Sequence, residues 1–261
     1  MKILLVGDIV GSPGRRIFKK TVARLRSAGS VHAVIANAEN AAAGNGLTIA
    51  LAEELFDAGA DVITLGDHAW GQKELEQTIG REKRIVRPAN FAPGCPGQGA
   101  TTVQTPLGQI SVINLVGRVF MGPYDCPFRT ADVLLKSMPG GVPIIVDFHA
   151  EATSEKIALG RYLDGRVTVV AGSHTHVQTS DARILSNGTA YITDLGMTGP
   201  YEGVIGREDT PVLHKFLTGM STRFEVAKGL AVLEGAIVEL DPKSRKAVGI
   251  TAIRECETAE S

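Results

Sequence analysis

Six short runs rich in β-branched residues and leucine recur along the 261-residue chain. They are largely apolar rather than alternating between apolar and polar residues, which is typical of strands covered on both faces. The runs are residues 3–6, 33–36, 62–65, 144–146, 167–171 and 190–193. Helical patterns lie between several of them. This order predicts an α/β fold with a largely parallel sheet in the first half of the chain.

Two segments have the periodicity of amphipathic helices. Residues 48–58 begin with Thr48, a residue type that caps helix N-termini, and are followed by Gly59, a typical helix stop. Residues 15–25 place an apolar stripe opposite a basic face. We interpret that basic face as solvated rather than as a nucleic-acid-binding surface.

Two pairs of apolar segments predict antiparallel hairpins. The first pair is residues 101–105 and 109–115, joined by the turn sequence at 106–108, and the second is residues 229–240 and 247–253. The chain should therefore contain mixed sheets.

Composition limits the classes of partner and the setting of the protein. Lys and Arg total 27 against 28 Asp and Glu, so the overall charge favours neither an anionic membrane nor stable nucleic-acid binding. Three widely spaced cysteines cannot all pair, which favours a reduced cytoplasm. The apolar N-terminus is interrupted at Gly7, so we expect neither a signal peptide nor a spanning helix. The length suits one domain over residues 1–261.

Polar residues that could bind metal ions follow five of the apolar runs. They are Asp8 after the first run, Glu39 and Asn40 after the second, Asp67 and His68 after the third, His149 after the fourth, and His174 and His176 after the fifth. In an open α/β sheet the carboxyl ends of the strands meet at one crevice, where ligands bind. Singly, each residue could instead be a turn, a cap or a satisfied interior side chain. Their joint occurrence favours a metal site.

The pair His174 and His176 is the most distinctive part of this set. If the strand continues through them, alternation points both imidazoles to the same side, as half of a transition-metal site. The carboxylates, amide and histidines together exceed the needs of one tetrahedral zinc, which indicates two metals sharing a carboxylate. His149 and Glu151 match the His-x-Glu of zinc deaminases, but the partner Pro-Cys-x-x-Cys is absent from the chain.

With these residues in place, the chain resembles the calcineurin-like metallophosphoesterase superfamily, and more closely its YmdB-type branch of bacterial cyclic-nucleotide phosphodiesterases. The resemblance runs along nearly the whole chain. Its motifs are GD at 7–8, AEN at 38–40, GDHAW at 66–70, NLVGRVFM at 114–121, FHAEATSEK at 148–156, GSHTH at 172–176, TDLGMTGPYEGVIG at 193–206 and FLTGMSTRFEVA at 216–227.

The resemblance implies a layered β-sandwich flanked by helices, with a dinuclear site at the carboxyl ends of the strands. It implies Asp8, Asn40 and His176 as ligands of one metal, Asp67, His149 and His174 as ligands of the other, and Glu39 as the bridge. His68 would be the general acid. The expected ions are iron or manganese, with zinc, cobalt and nickel left open.

The implied reaction is hydrolysis of a phosphodiester, either a 2',3'- or a 3',5'-cyclic nucleotide, by a hydroxide held between the two metals. The substrate would be a small molecule, and we expect a homo-oligomer. Two alternatives stay open: a metal-bound regulatory or interaction protein of low activity, and a phosphomonoesterase or protein phosphatase. Arg118 could contact the substrate phosphate or cap a loop.

One residue departs from the family pattern. The third motif of the superfamily is normally Gly-Asn-His, whereas this chain has Gly66-Asp67-His68. A carboxylate at this position adds negative charge, which should hold metal more firmly and weaken its Lewis acidity.

Overall fold

Two β-sheets form the centre of the protein in a computed structural model that describes residues 1–106, 108–241 and 243–258. The strands are β1 (Lys2–Val6), β2 (Asp8–Ile9), β3 (Ala33–Asn37), β4 (Val62–Thr64), β5 (Ile85–Val86), β6 (Ala100–Thr105), β7 (Gly108–Val116), β8 (Ile144–His149), β9 (Val169–Ser173), β10 (Arg183–Ile184), β11 (Ala190–Ile192), β12 (Met197–Pro200), β13 (Ala231–Leu240) and β14 (Ala247–Cys256). The helices are α1 (Gly11–Ser27), α2 (Ile49–Asp57), α3 (Lys73–Thr78), α4 (Pro127–Leu135), α5 (Thr153–Leu163) and α6 (Asp209–Thr218), and a 3-10 helix spans Ile79–Arg81.

Both sheets combine parallel and antiparallel pairs, as the sequence predicts. The first sheet has the order β2-β12-β13-β1-β3-β4-β5, with β14 paired to β13. Its strands β1, β3, β4 and β5 are parallel to one another, whereas β13 runs antiparallel to β1. The second sheet has the order β10-β11-β9-β8-β7-β6, and its four central strands are parallel. The carboxyl ends of the parallel strands carry the candidate metal site.

Strand alternation explains why the apolar runs carry no polar face. In β1, Leu4 and Val6 pack into a core shared with α1 and α2, whereas Ile3 and Leu5 face the second sheet. In the second sheet, Phe148 joins a core with α5, and its strands also contribute to the core between the sheets. Successive side chains of a strand point to opposite faces, so both faces of each sheet are apolar. The layers are therefore helix, sheet, sheet and helix.

The predicted helix boundaries are largely confirmed. The Thr48 side chain caps α2 by accepting a hydrogen bond from the Leu51 backbone N–H at 3.3 Å. Beyond α2, Gly59 adopts a φ of 109°, a value that glycine reaches without steric cost. The predicted stripe of α1 is buried, Phe18 and Val22 fully so, and the helix extends beyond residues 15–25 at both ends.

The two predicted hairpins are also confirmed. Strands β6 and β7 pair antiparallel, as do β13 and β14. Leu107 in the predicted turn of the first hairpin lies outside the described residues. Within the described part of the chain, no helix combines the length and the apolarity that crossing a membrane requires. All three cysteines are free.

Candidate metal centre

Four side chains from both sheets meet at the strand ends. Glu39 follows β3, Asp67 follows β4, His149 is the last residue of β8, and His174 follows β9. Each offers one ligand atom, and these atoms all lie within 4.8 Å of one another. Two carboxylates and two imidazoles form a donor set that suits a transition-metal ion.

The ring nitrogen Nε2 of His149 is the centre of this group. It lies 2.9 Å from Nδ1 of His174, 3.0 Å from Oδ1 of Asp67 and 3.1 Å from Oε1 of Glu39. An imidazole nitrogen carries at most one proton, so it cannot donate to all of these atoms at once. Three potential ligand atoms thus converge on a fourth, as they would around a common cation.

A second group of donors lies beside the first. Nε2 of His176 is 3.7 Å from Oδ1 of Asp8 and 3.3 Å from Nδ2 of Asn40. Glu39 contacts both groups, because its Oε1 also accepts a hydrogen bond from Nδ2 of Asn40 at 3.3 Å. The carboxylate of Glu39 therefore lies between the two sets of donors.

An orphaned oxygen on Asp8 tests whether this arrangement suits a cation. Asp8 is fully buried, and its Oδ2 accepts a hydrogen bond from the His174 backbone N–H at 3.1 Å. Among the described residues, its Oδ1 has no hydrogen-bond partner. A buried carboxylate oxygen without a partner is energetically costly unless a cation or donor satisfies it. The residues present therefore fit a bound metal ion.

The second nitrogen of each histidine is held by a neighbouring group. Nδ1 of His149 lies 3.0 Å from the hydroxyl of Ser173, and Nε2 of His174 lies 3.2 Å from the Glu151 carboxylate. Nδ1 of His176 lies 3.0 Å from the backbone carbonyl of Ile205, to which it can donate. Such contacts fix the tautomer and the ring orientation of metal-binding histidines. They leave Nε2 of His149, Nδ1 of His174 and Nε2 of His176 facing the site.

The prediction that His174 and His176 extend the strand is wrong. Strand β9 ends at Ser173, and the two histidines have φ angles of 100° and 62°. Non-glycine residues rarely adopt these values, so the surrounding contacts must stabilise the loop. Strand alternation therefore does not determine the directions in which the two imidazole rings point. The left-handed loop sends His174 to the first group of donors and His176 to the second.

The carboxylates of the first group are stabilised in their ionised forms. Burial opposes the charge on Glu39, but the positive charge on His149 lowers the pKa of this carboxyl below its usual value. Burial likewise opposes the charge on Asp67, yet hydrogen bonds with His149 and His174 bring its pKa well below the usual range. Burial opposes protonation of His149, but the nearby Glu39 and Asp67 raise its pKa well above the usual value. The cluster therefore favours positive charge at its centre.

Beneath His149, a buried polar network fixes the imidazole from the opposite side. The Ser173 hydroxyl donates to Oδ1 of Asp147 at 2.6 Å, and the Thr64 hydroxyl donates to Oδ2 of the same residue. Burial raises the pKa of Asp147 to about 6, despite these hydrogen bonds. The side chain of Asn37 lies 3.3 Å from Nδ1 of His149. This hydrogen-bonded network therefore holds the His149 imidazole in place at the end of β8.

His68 stands at the open side of the site. Its side chain is 42% exposed, and its backbone N–H donates to Oε2 of Glu39 at 2.9 Å. Nδ1 lies 3.0 Å from Oδ1 of Asn40, whereas Nε2 is 3.9 Å from the nearest oxygen of Asp67. The latter distance exceeds a hydrogen bond. Nε2 is therefore the nitrogen that can reach a substrate.

The amide of Asn40 has its oxygen toward His68 and its nitrogen toward His176 and Glu39. A metal-ligand role needs the oxygen on the side of His176, because an amide N–H₂ group is a donor only. Rotation of the amide by half a turn would exchange these two atoms.

Arg118 is not brought into the cluster. Its backbone N–H donates to both carboxylate oxygens of Glu155 at 3.1 Å, and its side chain is exposed. Within the described residues, its guanidinium has no hydrogen bond or ion pair with the candidate ligands. Arg118 therefore lies outside the ligand cluster, and its contact with a substrate phosphate stays a prediction.

A cavity of about 740 Å³ opens from the cluster, and the sequence patterns do not predict several of its residues as site residues. Glu151, which holds His174, stands out in the sequence through its partial match to a zinc-deaminase motif and through its place in the FHAEATSEK motif. Arg207 also lines the cavity, and its guanidinium donates to the backbone carbonyl of Gly44. The sequence signal that could mark both Glu151 and Arg207 as site residues is their position in loops, because loops carry many binding residues.

Comparison with known proteins agrees with this architecture. A family model described as "YmdB-like protein" matches residues 4–253. The "2',3'-cyclic-nucleotide 2'-phosphodiesterase" of Bacillus subtilis (strain 168) is 49% identical over 254 residues, which cover 97% of this chain and 96% of the relative.

Two solved structures share the fold over nearly their whole length. A hypothetical protein from Thermus thermophilus superimposes with a TM-score of 0.93 and 40% identity, covering 99% of this chain and 100% of that one. A structure described as a novel phosphatase from Mycoplasma pneumoniae superimposes with a TM-score of 0.92 and 38% identity, covering 98% of this chain and 93% of that one. The fold is thus the layered metallophosphoesterase-like architecture, and the chain belongs to the YmdB-like protein family.

Proposed function

We propose that this protein is a metal-dependent phosphodiesterase that hydrolyses 2',3'-cyclic nucleotides. The observation that carries the proposal is the convergence of ligand atoms of Glu39, Asp67, His149 and His174 within 4.8 Å of one another. Two of these residues, Glu39 and His174, also line the cavity. The orphaned oxygen of Asp8 beside them supports a cation in the same place. The activity for which the Bacillus relative is named supports the substrate class.

Two transition-metal ions are proposed, one for each group of donors. Asp67, His149 and His174 would hold one ion, and Asp8, His176 and the amide oxygen of Asn40 would hold the other. Glu39 would bridge them, since its Oε1 contacts both groups. Mixed imidazole and carboxylate ligation suits iron or manganese, and also zinc, cobalt or nickel.

When bound, the ions would supply a water nucleophile of lowered pKa and positive charge beside the phosphate oxygens. The charges of the protein ligands determine how much net positive charge the metal centre would present to the phosphate. Asp8, Glu39 and Asp67 contribute three negative charges, and each histidine is a neutral ligand. Two divalent ions would leave one net positive charge to attract an anionic diester.

His68 is the proposed general acid. Its Nε2 faces open space, while its Nδ1 contact with Asn40 at 3.0 Å orients the ring. In the reaction, a bond forms between the water oxygen and phosphorus, and the bond between phosphorus and the ribose 2'-oxygen breaks. The protonated imidazole of His68 donates its Nε2 proton to that leaving oxygen and becomes neutral. The product is then a nucleoside 3'-phosphate, and the proton lost by water restores the protonated form of His68 through the solvent.

Hydrolysis of a substrate panel by manganese-loaded protein tests this proposal. The panel contains 2',3'-cyclic AMP, 3',5'-cyclic AMP and p-nitrophenyl phosphate, with product identity followed by chromatography. We expect the fastest turnover with 2',3'-cyclic AMP and 3'-AMP as its product. Preferred turnover of the monoester would instead support a phosphatase, the activity for which the Mycoplasma structure is named. If the metal-loaded protein hydrolyses none of the three substrates, the result would support the alternative of a regulatory protein.

A further inference from the structure

The cavity beside the metal centre has two ends of different chemistry. One end is lined by four of the candidate metal ligands and by His68; the four ligands are Glu39, Asn40, His174 and His176. The other end is formed by α6 and the segments around it, and its apolar residues are Val204, Ile205, Val212, Phe216 and Phe224. A volume of about 740 Å³ lies within the range of small-molecule sites. The cavity therefore has room for more than a phosphate group.

The apolar wall starts directly beside a candidate metal ligand. The backbone carbonyl of Ile205 lies 3.0 Å from Nδ1 of His176, and the Ile205 side chain is 49% exposed. Phe216 on α6 is 82% exposed although it lines the cavity. The protein core does not account for an aromatic ring left so open to solvent. Exposed apolar surface of this kind commonly marks a binding site.

Two cations accompany the aromatic rings of this wall. The ammonium of Lys215 lies 5.1 Å from the ring centroid of Phe224, and Arg207 lines the same cavity. Aromatic faces beside positive charge suit an anionic ligand that carries a flat ring. A fatty acyl chain would be bound without any need for aromatic faces.

We propose that Phe216 and Phe224 form a stacking wall for the nucleobase of the substrate, an assignment that rests on the proposed function. The cyclic phosphate lies at the metal ligands, and the base lies against α6. Phenylalanine rings offer no hydrogen bond to the base edges, so the wall accepts both purines and pyrimidines. Stacking of this kind tolerates any base because every base has a flat aromatic face.

The test compares Phe216→Ala with a matched control on the same helix. Leu217→Ala is the control, because Leu217 is 85% exposed and does not line the cavity. The substrates are 2',3'-cyclic AMP and 1-O-methylribose 2',3'-cyclic phosphate, which has the same reacting group and no base. KM and kcat are measured for both.

We expect Phe216→Ala to raise KM for 2',3'-cyclic AMP by about 5- to 150-fold, the range typical for loss of base stacking. Its kcat should stay close to that of the unmodified protein, because stacking contributes equally to the ground and transition states. The base-free ester should be unaffected by the change. Leu217→Ala should leave both substrates unchanged. An equal effect on both substrates, or no effect on either, would overturn the stacking wall.

A binding measurement tests the stacking wall even if the protein hydrolyses neither substrate. Lack of hydrolysis of both cyclic esters by the unmodified protein would remove the proposed function. Calorimetric titration with 3'-AMP would then decide the subsite separately, and we expect Phe216→Ala to bind it more weakly than Leu217→Ala. Equal affinities in the two variants, or tighter binding of a lysophospholipid than of 3'-AMP, would overturn the assignment.

Discussion

The ammonium of Lys156 lies 2.6 Å from Oδ2 of Asp194, and both side chains are about 1% exposed. The same oxygen accepts hydrogen bonds from the backbone N–H of Thr175 at 3.2 Å and from its hydroxyl at 2.8 Å. Thr175 separates the two histidines of the metal site, whose φ angles are positive. The buried ion pair therefore anchors the loop that directs one imidazole to each group of donors.

Replacing Lys156 by Met should destabilise the protein by about 3 to 5 kcal/mol, because it leaves the carboxylate of Asp194 buried without its partner charge. Urea denaturation measures the change. The variant should also retain less metal, since the histidine loop loses its anchor. As a control, Lys228→Met removes an exposed lysine and should alter neither property. A stable Lys156→Met variant with full metal content would disprove the anchoring role.

Replacing His68 by Gln should lower kcat by about 10² to 10⁴, the usual contribution of general acid catalysis. The metal content should stay unchanged, because His68 is not among the proposed ligands. Stopped assays with 2',3'-cyclic AMP and elemental analysis of the same preparation give both quantities. Unchanged turnover would remove His68 from the mechanism.

Replacing Asp67 by Asn removes one negative charge from the metal centre and restores the Gly-Asn-His motif of the superfamily. We expect weaker metal retention and faster turnover, each on the order of tenfold, which corresponds to about 1.4 kcal/mol. Asp67 is only 27% exposed, so solvent screens its charge incompletely. Dialysis against a graded series of chelator concentrations measures retention. If the unmodified protein and Asp67→Asn retain metal equally and turn over at the same rate, the added charge of Asp67 does not have the proposed effect.

The Glu257 carboxylate links the end of the described chain to α1 and gives a prediction about pH. Arg16 donates to both of its oxygens at 2.8 Å, and this contact brings the pKa of Glu257 down to about 2, from an ordinary value of 4.5. A lowered folded-state pKa stabilises the protein above pH 4.5, and that stability is lost as the pH falls toward 2. Glu257→Gln should therefore cost about 1 kcal/mol at neutral pH, since the half-exposed Arg16 is screened by solvent.

Urea denaturation of both proteins at several pH values between 7 and 3 checks this. The difference in the free energy of unfolding should shrink below pH 4.5. Glu255→Gln is the matched control, because the Glu255 side chain is 43% exposed against 12% for Glu257, so its ion pair with Arg24 is screened more and should contribute less. A difference that stays constant with pH would show that the Glu257 charge does not contribute.

Much of the fold follows from local sequence patterns. Strand runs that are apolar on both faces, such as the residues of β1, indicate burial between layers because alternation sends neighbouring side chains to opposite cores. The strand-end position of Glu39 or Asp67 can likewise be predicted, since parallel strands bring their carboxyl ends together. These inferences need only the period of the strand and the order of the elements.

The rest depends on contacts between segments that are far apart in the chain. His174 and His176 have positive φ angles, and the residue between them, Thr175, is held by Asp194, which lies 19 positions further along the chain, so no local pattern contains this contact. Phe216 looks like part of an ordinary amphipathic helix surface until the fold places it in the cavity that several candidate metal ligands also line. The histidine loop and the aromatic wall depend on contacts between distant segments, so local sequence patterns do not predict them.

Metal content and hydrolysis of 2',3'-cyclic AMP, measured on one preparation before and after chelation, test the central claim most directly. Stripped protein should be inactive, and titration with manganese should restore turnover as the content approaches two ions per chain. The product should be 3'-AMP throughout. Full turnover by stripped protein, or saturation of the rate at one ion per chain, would contradict a dinuclear phosphodiesterase.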